Sequence, residues 1–182
     1  GIPRAHIVGF SIGGMINRRF ALDHRNKTAS LIILNSPHDR GSEAQTMVEA
    51  RAKSVREQGA FSTFDAALKR WFTPEYLASG TGAAKVREWR EAVDAESYAQ
   101  ATWVLANGVV ELTGRDGEIN APTLVITCEN DSGSTPEMGS NIAAEIAGAQ
   151  TIIIPKLQHL GLMEQPDVYT KPIRYFLERQ SQ

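Results

Sequence analysis

The segment Gly9-Phe10-Ser11-Ile12-Gly13-Gly14 decides how this chain folds, because it joins two runs of different periodicity through small residues. The preceding run, Ala5-His6-Ile7-Val8, is typical of a strand, and residues 15–22 are typical of a helix. A serine between glycines at the junction predicts a sharp strand-to-helix turn. The hydroxyl then lies at the carboxyl end of a strand, where open α/β sheets place their binding sites.

The rest of the chain repeats this alternation of strand and helix. Runs rich in Ile, Val, Leu and Thr predict four strands, at residues 4–8, 30–34, 123–127 and 151–154. None of them alternates cleanly between apolar and polar residues, which is typical of strands buried on both faces of a parallel sheet. Helical patterns follow three of them, at residues 15–22, 136–146 and 168–179. The sequence therefore predicts an α/β fold with a mostly parallel sheet.

A long insertion separates the second predicted strand from the third. A crossover between parallel strands needs only about a dozen residues, whereas this segment contains four helical patterns of its own, at residues 44–58, 64–72, 83–93 and 97–108. All three tryptophans of the chain lie in it. We therefore expect residues 43–115 to form a helical cap over the carboxyl ends of the strands, and residues 1–42 and 116–182 to form the α/β core.

Composition excludes several functional classes. The 182 residues carry a net charge of −2, without the basic stripe that nucleic-acid binding requires. The longest apolar runs fall well short of the roughly 20 residues of a membrane span. The single cysteine, Cys128, rules out an internal disulfide framework and favours a reducing cytoplasm. No histidine or cysteine stands at metal-ligand spacing, so we expect neither a metal nor another cofactor.

The turn at residues 9–13 matches the pattern G-x-S-x-G, in which a serine on a strained strand-to-helix turn exposes its hydroxyl. Close approach of strand and helix predicts that Gly9 and Gly13 must both be small. The backbone N–H of Ile12 and the helix dipole would then face a developing oxyanion. A plain tight turn with a capping serine is the alternative. A phosphate-binding loop is disfavoured because the Lys-Ser/Thr pair is absent.

A nucleophilic serine needs a base, and four histidines are available. His159 follows the last predicted strand and is the favoured base. His38 follows the second strand and competes with it. His6 lies inside the first strand and His24 at a charged helix end, so neither is expected at the serine.

The base needs an acidic partner that orients it. Asp131 follows the third predicted strand and is the favoured acid, although aspartate is also common in turns and caps. Glu129 and Asp39 compete with it for this role. The chain order of Ser11, Asp131 and His159 is that of an α/β-hydrolase triad.

Three segments together make this chain similar to the C-terminal part of an α/β-hydrolase: residues 6–14, residues 122–131 and residues 154–166. Within that superfamily, residues 69–74 and the helical insertion are most similar to 3-oxoadipate enol-lactonase-like hydrolases. A serine at position 11 argues against haloalkane dehalogenases and epoxide hydrolases, which place an aspartate there.

The resemblance implies roles for individual residues. Ser11 would be the nucleophile, His159 the base and Asp131 its orienter, with the Ile12 N–H as one oxyanion donor. The implied activity is hydrolysis of carboxylic esters or lactones through an acyl-enzyme. The expected partner is therefore a small-molecule ester or lactone. A non-catalytic ligand-binding or interaction module on the same fold is the rival interpretation, and a cofactor-free perhydrolase is a third.

The cap is expected to form the substrate pocket. The residues predicted to contact substrate are aromatic or aliphatic and lie in the cap or beside the triad: Phe10, Trp71, Trp103 and Leu160. Phe72 is a further candidate. For Trp71, Phe72 and Trp103, packing in a hydrophobic core is the favoured interpretation.

One feature departs from the family pattern. In α/β-hydrolases the serine turn follows the fifth strand, and a loop from the first half of the sheet supplies the second oxyanion N–H. The resemblance therefore implies that the N-terminal half of the sheet is absent from this chain. We expect a complementing N-terminal half, either a second chain or a missing segment, to pair along the open edge of residues 4–8.

Overall fold

A computed structural model of the chain describes residues 1–180. Its sheet has four parallel strands in the order β1-β2-β3-β4: β1 (Ala5–Phe10), β2 (Thr28–Leu34), β3 (Thr123–Cys128) and β4 (Gln150–Ile154). The two central strands are buried almost completely, because helices cover both of their faces. The predicted α/β fold with a parallel sheet is confirmed.

The described helices are α1 (Ile12–Asp23), α2 (Gly41–Gln58), α3 (Phe64–Trp71), α4 (Pro74–Ala78), α5 (Thr81–Ala92), α6 (Ala95–Asn107), α7 (Pro136–Glu145), α8 (Gly161–Glu164) and α9 (Asp167–Gln180). Single turns of 3-10 helix lie at Arg25–Lys27, Gly108–Glu111 and Asp116–Glu118. The sequence patterns did not predict α4 or α8, which are too short to show a helical period.

Two hydrophobic cores lie on opposite faces of the sheet. Helices α1 and α7 pack on one face, where Met15 and Ile142 contact Ile33 of β2 and its neighbours. Helix α9 packs on the other face, where Tyr169 and Phe176 join the side chains of β2 and β3. The sheet and these helices form a three-layer core. Because the strands are parallel, their carboxyl ends all lie at the same edge of the sheet.

The inserted helices α2–α6 carry a third core of their own, formed by Phe64, Leu68, Phe72 and Val86. The end of this segment packs differently from the expectation of a cap through residue 115. Val109 and Leu112 belong to the core between α1 and the sheet. These two residues, which lie within the range predicted for the cap, therefore pack with the α/β layers.

Within residues 1–180, no helix is both long enough and apolar enough to cross a membrane.

Candidate active site

The turn between β1 and α1 holds Ser11 in an unusual backbone conformation. Its φ of 54° and ψ of −117° lie where side chains other than glycine are rarely found. The Ser11 N–H donates a 2.8 Å hydrogen bond to the Leu34 carbonyl at the end of β2. The neighbouring strand therefore fixes this strained turn, and Ser11 stands at the N-cap of α1.

The glycines around Ser11 differ in what they require. A Cβ on Gly9 would overlap the Gly13 carbonyl oxygen and lie 2.8 Å from the Gly14 nitrogen, so the strand needs a glycine there. A Cβ on Gly13 would meet nothing within 4 Å. The expectation that both flanking positions must be small is therefore wrong for Gly13. The second tight position is Gly14, where a Cβ would lie 2.6 Å from the Ser36 Oγ.

Ser11, His159 and Asp131 come together in one hydrogen-bonded chain. The His159 Nε2 lies 3.0 Å from the Ser11 Oγ, and its Nδ1 lies 2.7 Å from the Asp131 Oδ2. An ionised carboxylate can only accept, so Nδ1 carries the proton and donates a hydrogen bond to Asp131. Nε2 is then free to accept the hydroxyl hydrogen of Ser11, which is the arrangement that a general base requires.

Asp131 is 2% exposed and accepts four hydrogen bonds. Its Oδ1 accepts from the backbone N–H groups of Gly133 and Ser134, and its Oδ2 accepts from Asn35 as well as His159. Burial is the largest single influence and raises the pKa of Asp131. The hydrogen bond and charge of His159, with the bonds from Asn35 and Ser134, outweigh it and hold the pKa below its usual value. Asp131 is therefore an ionised, fixed acceptor.

A polar chain behind Asp131 was not predicted from the sequence. Asn35 has a φ of 46°, and its Oδ1 accepts a 2.9 Å hydrogen bond from the Tyr169 hydroxyl. Because that hydroxyl donates its one hydrogen to Asn35, its oxygen accepts from the Cys128 thiol, whose Sγ is 2.8 Å away. Burial raises the pKa of both Cys128 and Tyr169, so both stay protonated. The sequence did offer one signal for Asn35: it directly follows a buried strand, and asparagine tolerates the positive φ of a turn at that position.

The competing base, His38, lies elsewhere. Its Nε2 is 2.9 Å from the Glu145 Oε1 and 3.9 Å from the Asp116 Oδ2, on the α7 side of the sheet. Ligand atoms of these three residues lie within 4.8 Å of one another. Arg18 already donates a 2.7 Å hydrogen bond to Asp116 in this group. The cluster is therefore a buried Arg18–Asp116 ion pair beside His38 and the partly exposed Glu145.

His6 and His24 are also engaged away from Ser11, as expected. The His6 Nδ1 lies 2.8 Å from the Ser30 Oγ on the neighbouring strand. The His24 ring packs against the Phe20 ring, with 4.8 Å between centroids. His159 is therefore the histidine that the fold brings to the serine.

The two competing acids, Glu129 and Asp39, satisfy local backbone groups instead of a histidine. The Glu129 Oε2 accepts a 2.8 Å hydrogen bond from the backbone N–H of Lys156. The Asp39 Oδ1 accepts one of 2.9 Å from the N–H of Gly41. Asp131 is thus the carboxylate that contacts His159.

The inserted helices are attached to the loop that carries His159. The Leu160 N–H donates a 2.8 Å hydrogen bond to the Trp71 carbonyl at the end of α3. The Thr73 hydroxyl donates to the Glu164 Oε2 at 2.6 Å. The rings of Trp71 and His159 also lie 6.3 Å apart between centroids. The position of the base therefore depends on helix α3.

An apolar cavity of about 580 Å³ opens beside Ser11. Three of the predicted contact residues line it: Phe10, Trp71 and Leu160. Trp89 also lines it, which the sequence did not predict. Trp103 does not line it, because its side chain is 56% exposed on the outer surface of α6. Phe72 does not either, because it is 1% exposed and packs in the core of the inserted helices.

A second, smaller cavity of about 130 Å³ is also lined by Ser11. Both cavities share Ser11, Trp71, Arg90, Tyr98 and His159 among their lining residues. Three further arginines, Arg40, Arg51 and Arg70, line only the smaller cavity.

The sequence analysis missed all four arginines. For Arg51 a signal existed, since it stands at helical spacing between Val48 and Val55, which also line the cavity.

Comparison with known proteins agrees with this geometry. The profile described as "Alpha/beta hydrolase family" matches residues 1–171. The chain is 28% identical over 179 residues to 3-oxoadipate enol-lactonase 2 of Acinetobacter baylyi, covering 98% of this chain and 65% of that protein. It is 26% identical over 175 residues to (E)-2-((N-methylformamido)methylene)succinate hydrolase of the same organism, covering 95% and 65%.

Solved structures give the same likeness. The enol-lactonase from Burkholderia xenovorans LB400 has a TM-score of 0.87 and 29% identity, covering 97% of this chain and 66% of that chain. A thermophilic esterase from Thermogutta terrifontis has a TM-score of 0.84 and 26% identity, covering 98% and 66%. The chain thus spans about 65% of the length of the curated relatives it matches. The resemblance to α/β-hydrolases with lactonase relatives is confirmed.

Proposed function

Because this chain belongs to the alpha/beta hydrolase family, we propose that it hydrolyses carboxylic esters or lactones through a covalent acyl-enzyme. The observation that carries the proposal is the continuous contact from the Ser11 Oγ to the His159 Nε2 at 3.0 Å, and from Nδ1 to the Asp131 Oδ2 at 2.7 Å. Nucleophile, base and orienter are each within hydrogen-bond reach of the next.

In the proposed mechanism, the Ser11 Oγ attacks the carbonyl carbon while His159 Nε2 takes the hydroxyl proton. The imidazolium that forms is stabilised by the ionised Asp131. His159 then gives the proton to the leaving alkoxide, which departs as an alcohol and leaves an ester on Ser11. Water, deprotonated by the same nitrogen, attacks the carbonyl carbon of that ester. The imidazolium then returns the proton to the Ser11 Oγ as the acid leaves, which restores the serine and the neutral histidine.

The negatively charged oxygen of the tetrahedral intermediate must be stabilised by hydrogen-bond donors. Ile12 is the first residue of α1, where backbone N–H groups have no acceptor inside the helix, and its N–H is the proposed first donor. We propose that the second donor comes from a complementing polypeptide segment beside β1. Within residues 1–180, β1 pairs only with β2, and Val8 on it is 52% exposed. Such an open apolar edge favours the addition of another strand.

The ester or lactone class rests on two supports. One curated relative is named 3-oxoadipate enol-lactonase 2, another is named a hydrolase of (E)-2-((N-methylformamido)methylene)succinate, and a similar structure is named an esterase. The apolar cavity lined by Phe10, Trp71 and Leu160 offers room for a small organic group next to the nucleophile.

The test is hydrolysis of p-nitrophenyl acetate by the native protein and by Ser11→Ala. We expect Ser11→Ala to lower kcat by at least about 10,000-fold. The matched control is Ser140→Ala, which removes an exposed helical serine and should leave the rate unchanged. Equal rates for the native protein and Ser11→Ala would overturn the proposal. Binding of esters without turnover would favour a non-catalytic module, and turnover only with added peroxide would favour a perhydrolase.

A further inference from the structure

The four arginines of the smaller cavity lack acidic partners. Among residues 1–180, the arginines with a carboxylate within 4.0 Å do not line this cavity. They are Arg18, Arg19, Arg25, Arg56 and Arg115. Asp131 is the one carboxylate among the lining residues, and its two oxygens are already engaged by four donors. The cavity therefore carries an uncompensated positive charge beside the serine.

Two of the four cavity arginines donate side-chain hydrogen bonds to the protein, and the other two do not. Arg40 donates to the Leu105 carbonyl at 2.9 Å and to Gln45 at 3.3 Å, and Arg90 donates to the Ala60 carbonyl at 3.0 Å. Among the described residues, Arg51 and Arg70 donate no side-chain hydrogen bond to the protein. Both are half-buried, so their donors are directed into a confined space without a protein acceptor.

The arginines also oppose one another electrostatically. Burial, followed by the charges of Arg51 and Arg18, lowers the pKa of Arg40 to about 10. Burial and then the charge of Arg51 lower the pKa of Arg70. Arg51 is thus close enough to act on both neighbours. Several partly desolvated guanidinium groups without a counterion are unfavourable, and a bound anion would remove that cost.

We propose that this cavity binds an oxyanion group of the substrate, a carboxylate or a phosphate, with Arg51 and Arg70 as its main contacts. A guanidinium fork matches the two oxygens of such a group better than any other side chain does. Because both cavities reach Ser11, whereas Arg40, Arg51 and Arg70 line only the smaller one, the reacting ester or lactone carries a charged group for the smaller cavity and an apolar group for the larger one. This inference names the substrate class of the proposed hydrolase and rests on that function.

Kinetics with two matched esters tests the inference. Mono-p-nitrophenyl adipate and p-nitrophenyl hexanoate have equal acyl chains and differ by a terminal carboxylate. We expect the native protein to prefer the adipate ester, and Arg51→Gln to lower the ratio of the two kcat/KM values by roughly 10- to 100-fold, through KM. Arg174→Gln, an exposed arginine on α9, is the matched control and should leave the ratio unchanged. A ratio unaffected by both Arg51→Gln and Arg70→Gln overturns the proposal.

A binding experiment separates this inference from the proposed activity. Titration calorimetry on Ser11→Ala uses adipate, hexanoate and inorganic phosphate as probes, with thermal melting to confirm that each variant is folded. Tighter binding of adipate than of hexanoate, lost in the Ser11→Ala/Arg51→Gln double variant, supports a carboxylate site even if the native protein hydrolyses no ester. Tighter binding of phosphate than of adipate, lost in the same variant, identifies phosphate as the bound group. Equal or undetectable binding of all three probes contradicts the proposal.

Discussion

The Asn35 side-chain amide donates a 2.9 Å hydrogen bond to the same Asp131 oxygen that accepts from His159. Asn35 is itself held by the Tyr169 hydroxyl at 2.9 Å. Helix α9, which contacts no reacting atom, therefore helps to orient the acid of the candidate triad. Asn35 and Tyr169 are positioning residues, because they act on the serine only through Asp131 and His159.

This relationship makes Asn35→Asp an informative change. A second carboxylate beside Asp131 would raise the pKa of the pair, because two like charges in a buried site disfavour ionisation. We expect kcat/KM for p-nitrophenyl acetate to fall about 100-fold, and the acid limb of the pH-rate profile to move to higher pH. Tyr169→Phe keeps the ring in place and should have a smaller effect. An unchanged acid limb in Asn35→Asp would show that Asn35 does not tune Asp131.

Gly9 and Gly13 should respond in opposite ways to the same added methyl group. Gly9→Ala would force β1 away from the start of α1, so we expect loss of stable folding or displacement of Ser11, with loss of activity. Gly13→Ala meets no atom within 4 Å and adds a better helix former, so stability should stay the same or rise slightly. Thermal melting and esterase assays on both variants test this. Equal sensitivity at the two positions would contradict the described turn.

The Arg18–Asp116 pair is completely buried, with 0% of either side chain exposed. Burial, only partly opposed by Arg18, raises the pKa of Asp116. Replacing Asp116 with Asn leaves the guanidinium without its counter-charge, so we expect the free energy of unfolding to fall by about 3 to 5 kcal/mol. Glu111→Gln, which breaks an exposed pair with Arg19, is the control and should have a much smaller effect. Similar losses in urea unfolding for the two variants would contradict a buried pair.

Asp131 should also contribute to stability in a pH-dependent way. Its pKa in the folded state is lower than the ordinary aspartate value of 3.8, so the native state favours the ionised form. That stabilisation is present above the unfolded pKa and is lost as the pH falls through the folded pKa. The difference in free energy of unfolding between the native protein and Asp131→Asn should therefore shrink as the pH falls below 3.8, the ordinary pKa of an aspartate. Urea unfolding at several pH values measures it, and a difference that grows towards acid would contradict the assignment.

Much of the architecture and the proposed triad could be predicted because their signals are local. The strands are short runs rich in apolar residues, and Ser11, Asp131 and His159 each lie within five residues after the end of one of them. Parallel pairing then brings the carboxyl ends together, which is a consequence of topology. His38 has the same local signal as His159, and only the packing of α7 shows that it faces away.

The features that escaped prediction depend on contacts between distant segments. Tyr169 reaches Asn35 across 134 positions of sequence, and no local pattern marks that pairing. The cationic cavity combines arginines from four separate parts of the insertion and its start. Trp103 was expected in the pocket but is exposed, and Phe72 packs in a core as the favoured interpretation held, because composition identifies aromatic residues whereas helix rotation decides whether they face solvent, core or cavity.

The central claim is that Ser11 is a nucleophile activated by His159, and covalent labelling with a fluorophosphonate tests it most directly. Intact-mass measurement of the native protein should show one equivalent of phosphonate, and peptide mapping should locate it on Ser11. His159→Gln should react far more slowly, and Ser11→Ala should not react. Failure of the folded native protein to react, or a label on another residue, would contradict this account.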